Sequence, residues 1–180
     1  MFSFRKLELE GLVLIETETF TDWRGSFCEL YNEDKLRQLG VETRYVQDNF
    51  AVSQRGVLRG LHFQLPPMAQ GKLVTCLCGK IYDVAVDLRP NSPSYGKWQA
   101  VELTGGLLLY LPAGFAHGYA VLSQQACVFY KVTEYYSPQH EAGIIWSDER
   151  LAIDWPVDDP ILSDKDQRWP TLTDFEKIWL

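Results

Sequence analysis

The chain has 180 residues, enough to bury one sizeable core and too few for two comfortable ones, so a single domain over residues 1–180 is expected. Hydrophobic residues make up 46% and charged residues 23%, with six Trp, nine Tyr and nine Phe, which excludes a disordered chain and leans toward strands. The net charge of −7 argues against an electrostatic nucleic-acid binder, whose contact face would be basic, and still leaves room for one anionic ligand held by local Arg and Lys.

The first residues, Met1-Phe2-Ser3-Phe4-Arg5-Lys6, lack the apolar core of a signal peptide, and no apolar run has bilayer-crossing length; a soluble, cytoplasmic location is expected. Strand-like runs bounded by turn residues follow at Leu12 to Glu16, Ser26 to Tyr31, Val41 to Gln47, Val57 to Gln64, Lys72 to Cys78, Lys80 to Leu88, Lys97 to Leu103, Leu107 to Leu111, Ala126 to Tyr136 and Gly143 to Ser147. Only two helices are predicted. Glu33 to Leu39 ends at the capping Gly40, and Thr171 to Trp179 opens with Thr-x-x-Asp. So many short strands with so few helices predict an all-β sandwich or barrel. Cys28, Cys76, Cys78 and Cys127 lie in apolar stretches without disulfide or C-x-x-C spacing and read as buried free thiols.

Along Lys80 to Leu88, Tyr82, Val84, Val86 and Leu88 share one face, while Ile81, Asp83, Ala85 and Asp87 share the other. The mixed face fits the lining of a polar pocket and fits a solvated outer surface equally.

Histidines are scarce: His62, His117 and His140. His62, in Val57-Leu58-Arg59-Gly60-Leu61-His62-Phe63-Gln64, has apolar neighbours that keep an imidazole neutral and able to accept a proton. Standing alone, the segment fits a core histidine with a satisfied hydrogen bond better. Arg59 and His62 are an odd number of residues apart, which puts them on opposite faces unless Gly60 marks a bulge. His117 follows Gly106, Pro112 and Gly114 at the spacing of the second cupin motif, where the Pro-x-Gly turn delivers the histidine into the next strand facing the barrel interior. The His-x-His metal pair of the first cupin motif is replaced by His62-Phe63-Gln64, so no metal is expected.

Further segments run in one order through the chain: Asp22-Trp23-Arg24-Gly25, Gln47-Asp48-Asn49, Arg59 to Gln64, Gln70-Gly71-Lys72-Leu73, Asp83 to Arg89, Pro112 to Gly118, Tyr130-Lys131, Tyr135-Tyr136-Ser137-Pro138, Ile153-Asp154-Trp155-Pro156 and Leu162 to Asp166. On these the sequence resembles the dTDP-4-dehydrorhamnose 3,5-epimerase family of the cupin superfamily, from about Phe20 to Asp166. The resemblance implies a cupin-type jelly roll and a cofactor-independent epimerase, commonly a homodimer with paired N-terminal strands. It implies His62 as base, Asp166 as its partner, Tyr130 as acid and Lys72 beside the ketone oxygen. It also implies that Arg24, Glu29, Gln47, Asp48, Asn49, Arg59, His117, Glu141 and Lys165 contact a dTDP-sugar, with Phe20 or Phe27 stacking on thymine. Single-carbon epimerases share most of these motifs. A ketoisomerase and a non-catalytic sugar-nucleotide-binding or metal-binding cupin are the other readings. Trp23, where an acidic residue is usual, and the short apolar Gly105 to Tyr110 segment depart from the family pattern.

Overall fold

A computed structural model describes residues 2–179, with side chains for 3–178. The described residues form β1 (Phe2–Lys6), β2 (Val13–Thr17), β3 (Thr19–Asp22), β4 (Gly25–Cys28), α1 (Glu33–Gln38), β5 (Gln47–Gln54), β6 (Leu58–Gln64), β7 (Lys72–Cys78), β8 (Ile81–Asp87), β9 (Trp98–Leu103), β10 (Leu107–Leu111), β11 (Phe115–Val121), β12 (Gln125–Val132), β13 (Glu141–Gly143) and α2 (Leu172–Trp179). Two sheets face each other in a jelly roll, one ordered β1-β2-β10-β7-β12-β5 and the other β13-β6-β11-β8-β9, while β3 and β4 form a separate hairpin. Among the described residues no helix is long and apolar enough to cross a membrane.

Alternation along each strand sorts side chains into layers. Between the sheets lie Val74, Cys76, Ile81, Ala85, Leu109, Phe115, Tyr119 and Val128. The outer face of the five-stranded sheet buries Leu58, Leu61, Val84, Val86 and Ala116 beneath Trp155, Leu172 and Phe175 of the C-terminal segment. Outside the six-stranded sheet, Leu36 of α1 and Val41 pack on Ile15, Leu73 and Leu108. The β8 ambiguity is thereby resolved: its apolar side lies under the C-terminal segment, and its mixed side looks into the barrel, where Asp83 is fully buried.

Both helices have side-chain caps. Asn32 Oδ1 accepts from Lys35 N–H at 3.1 Å to start α1, and Gly40 follows the last turn at φ +72°. Thr171 Oγ1 accepts from Asp174 N–H at 3.1 Å to start α2, as Thr-x-x-Asp predicts.

Several expected strands are corrected. Residues 41–46 are irregular because the Glu42 carboxylate accepts from the Thr43 and Arg44 N–H groups at 2.8 and 2.9 Å and turns the chain. Only Gln47 of that run is in a strand, β5, which extends to Gln54. The run predicted for Ser26 to Tyr31 stops at Cys28, that for Ala126 to Tyr136 stops at Val132, and the last strand is Glu141–Gly143, where Gly143 to Ser147 was expected. The four cysteines are free, yet only Cys76 is buried; Cys78 is exposed at the end of β7, and Cys28 and Cys127 are half-buried.

Candidate active site

Beside the apolar core between the sheets lies a cavity of about 340 Å³. Its walls come from both sheets: Gln47 and Asn49 of β5, Lys72 of β7 and Tyr130 of β12 on one side, Arg59, His62 and Gln64 of β6 and His117 of β11 on the other. Glu141, Tyr136 and Lys165 complete the rim.

Arg59 and His62 share this wall because β6 carries an extra residue. Arg59 pairs with Tyr119 and His62 with His117, so three steps along β6 match two along β11. Gly60 takes φ +139°, and a Cβ there would stand 2.5 Å from Gly118 Cα, so close passage of the two backbones requires glycine.

His62 Nε2 is hydrogen-bonded to Asp166 Oδ1, and Asp166 also accepts from Ser163 Oγ at 2.8 Å. Asp166 comes from a loop more than a hundred residues downstream, yet only 4% of its side chain is exposed, against 28% for His62. Burial opposes ionisation of Asp166, but the bonds from His62 and Ser163 outweigh it and hold the carboxyl below its usual range. An ionised Asp166 accepts a hydrogen bond from one imidazole N–H, which keeps the proton on that nitrogen and leaves the lone pair on the other, the arrangement a general base needs.

Lys72 opens β7 on the inner face with Val74 and Cys76. It is buried, its Nζ donates to the His62 carbonyl at 3.2 Å, and burial lowers its pKa to about 8 against the opposing pull of Asp83 and Glu141. His117 Nε2 lies 3.0 Å from Asp83 Oδ2; both are buried, and burial lowers the His117 pKa despite Asp83. Tyr130 reaches in from the opposite sheet. Burial raises its phenol pKa, while Arg59 and Lys165 pull it back down. A ligand between the sheets therefore has an imidazole on one side and a phenol on the other, with an ammonium beside them.

The structure brings together His62, Asp166, Tyr130, Lys72, Gln47, Asn49, Arg59, His117, Glu141 and Lys165. It does not bring in the remaining five. Asp48 points outward because it alternates with Gln47 and Asn49, and it pairs with Lys131 at 2.7 Å. Glu29 is occupied by Asn32 and Lys35. Phe20, Arg24 and Phe27 sit on the β3–β4 hairpin, around a separate shallow hollow, with Phe20 and Phe27 exposed. Sequence reasoning missed Gln64, Gln70, Tyr119 and Tyr136 on the cavity wall. Gln64 was findable, standing two residues beyond His62 on one strand face. Among the described residues no cluster of three or more His, Cys, Asp or Glu side chains is arranged to hold a metal ion.

Comparison with known proteins adds to this geometry. The sequence model described as dTDP-4-dehydrorhamnose 3,5-epimerase matches residues 6–174. The dTDP-4-dehydrorhamnose 3,5-epimerase of Methanothermobacter thermautotrophicus is 49% identical over 176 residues, which cover 95% of each chain. The Bacillus anthracis dTDP-4-dehydrorhamnose 3,5-epimerase, solved with TDP and PPi bound, superposes with a TM-score of 0.92 at 45% identity, covering 96% of this chain and 100% of that one. The Legionella pneumophila dTDP-6-deoxy-D-glucose-3,5-epimerase, solved in complex with dTDP-4-keto-L-rhamnose, gives 0.92 at 43% identity over 96% and 94%.

Proposed function

Since this chain belongs to the dTDP-4-dehydrorhamnose 3,5-epimerase family, we propose that it inverts C5 and C3 of dTDP-4-dehydro-6-deoxy-D-glucose by taking a proton at His62 and returning one from Tyr130. The observation that carries the reading is the placement of His62 and Tyr130 on opposing sheets around one cavity. The 4-keto group acidifies the hydrogen on each neighbouring carbon. His62 removes it, the electron pair moves onto O4, and Lys72 stabilises the resulting enolate. Tyr130 protonates the carbon from the other face and regains its proton from solvent, while the imidazolium loses its own. No step calls on a metal or a nicotinamide.

Residues 1–180 act as one domain in this reading, in the cytoplasm. The exposed β3–β4 hairpin supports a homodimer, because Phe20, Arg24, Phe27 and Glu29 meet substrate only if a second copy presents them to the cavity.

Incubation with substrate in deuterated water tests the reaction. Label is expected at both C3 and C5 of dTDP-4-dehydro-L-rhamnose. A single labelled carbon would replace this reading with a one-carbon epimerase, a relocated carbonyl in the NMR spectrum would make it a ketoisomerase, and no exchange at all would remove the catalytic role.

Lys72 gives the free enzyme an alkaline limb. The ammonium, the form that stabilises an enolate, exists below about pH 8 and is lost above it, so kcat/KM falls as pH rises through that value. Lys72→Arg keeps its charge at high pH, and the pH–rate profile of that variant should lack the limb whatever its absolute rate. An unmoved limb would assign it to another group.

A further inference from the structure

Beyond Val132 the chain leaves β12, and residues 133–140 run on without strand pairing and place Tyr136 on the cavity rim. Backbone groups there still need partners. Backbone pairs meet some of the need, Thr133 N–H with the Gly71 carbonyl and Leu65 N–H with the His140 carbonyl, and three glutamine side chains meet much of the rest. Gln70 Nε2 donates to the Glu134 carbonyl at 2.7 Å, and Gln47 Oε1 accepts from the Tyr136 N–H at 2.9 Å. Gln64 does most: its Nε2 donates to the Met68 and Tyr135 carbonyls at 2.6 and 3.1 Å, and its Oε1 accepts from the Ser137 N–H at 2.7 Å.

Gln64 stands on the cavity wall, in line with His62, where a side-chain amide looks like a substrate ligand. Its hydrogen bonding points elsewhere. Both amide protons and one lone pair of the oxygen are engaged by backbone, and the residue is only 5% exposed. The segment it holds carries Tyr136, whose ring lines the cavity while its hydroxyl donates to Glu141 Oε2 at 3.0 Å; Glu141 Oε1 in turn accepts from Lys165 at 2.6 Å. The His62–Asp166 pair is fastened separately, by Ser163 on both the side chain and the backbone of Asp166.

We propose that Gln64 is a positioning residue that clamps the Tyr135–Ser137 rim, setting affinity for the nucleotide sugar while leaving proton transfer untouched. This rests on the function proposed above.

The test replaces Gln64 with methionine, of similar length and without hydrogen bonds, and measures dTDP binding by calorimetry beside steady-state kinetics on the dTDP-4-keto sugar. Expected for Gln64→Met is a rise of about tenfold in both the dTDP Kd and the substrate KM, with kcat kept within about threefold. Because Gln64 acts through the rim, the double variant with Tyr136→Ala should bind no more weakly than Tyr136→Ala alone. Additive losses would make Gln64 a direct ligand and overturn the proposal, as would a fall in kcat at unchanged KM. If Gln64→Met does not fold, Gln70→Met releases the Glu134 end of the same segment. It should show the same split of KM from kcat, again non-additive with Tyr136→Ala, and an additive result there overturns the clamp equally. Wild-type protein that neither binds dTDP nor exchanges deuterium would instead remove the function itself, an outcome distinct from an active enzyme with additive variants.

Discussion

Replacing His62 with alanine lowers kcat by about 10²- to 10⁴-fold, the range for loss of one general base, while dTDP binding stays close to wild type. The split follows from position. His62 lines the cavity and is tied to Asp166, whereas the charged groups suited to a nucleotide have anchors of their own, Arg59 although it shares β6 with His62, and Lys165 in the loop that carries Asp166. Arg59 Nε is held by Ser53 Oγ at 3.1 Å, and Lys165 Nζ by Glu141 at 2.6 Å. Deuterium exchange at C3 and C5 should fall together with turnover, because one imidazole serves both carbons. A loss below about tenfold, or exchange surviving at one carbon only, would mean that a second base operates.

How much of this was legible beforehand depends on what faces what. The strands around His62 and Lys72 were readable because one of their faces is apolar and covered; β6, β7, β8 and β9 lie within a residue of expectation. Most of β5 was not. Its inward residues are Gln47, Asn49, Ala51 and Ser53 and its outward ones include Phe50 and Val52, 60% and 47% exposed, so a polar cavity reverses the usual pattern of apolar side inward. The odd spacing of Arg59 and His62, both assigned to the substrate by the resemblance, raised a bulge at Gly60 as the way to bring them to one face, and the register shift between β6 and β11 is that bulge.

Asp166 illustrates the opposite case. Leu162-Ser163-Asp164-Lys165-Asp166 reads locally as a solvated loop, and Asp164 behaves as one, with 89% of its side chain exposed. Asp166 is drawn in by contacts that no local pattern encodes. Just beyond it, Trp169 lies against Gly143, where a Cβ would stand 2.4 Å from the indole, so the absent side chain lets the loop settle over β13 and deliver the carboxylate to His62. Only the family resemblance named that residue. The same resemblance named Asp48, whose side chain strand alternation turns away from the cavity and toward Lys131.

Tyr130→Phe should separate two activities that wild-type protein couples. The ring stays in place beside the inner core, so the thermal midpoint should remain near wild type, while the proton donor on the six-stranded side is gone. Proton removal needs only His62 and its partner. The imidazolium formed can exchange with solvent and return a deuteron to the face it came from, giving labelled substrate without inversion. Net epimerisation is therefore expected to drop by about 10²-fold or more, the typical contribution of one acid–base group, while exchange into recovered substrate declines much less. Mass spectrometry of recovered substrate and NMR of product, on one reaction in deuterated water, measure both. Equal loss of exchange and inversion would place the phenol in the first step too, and the division of labour between the two sheets would have to be abandoned.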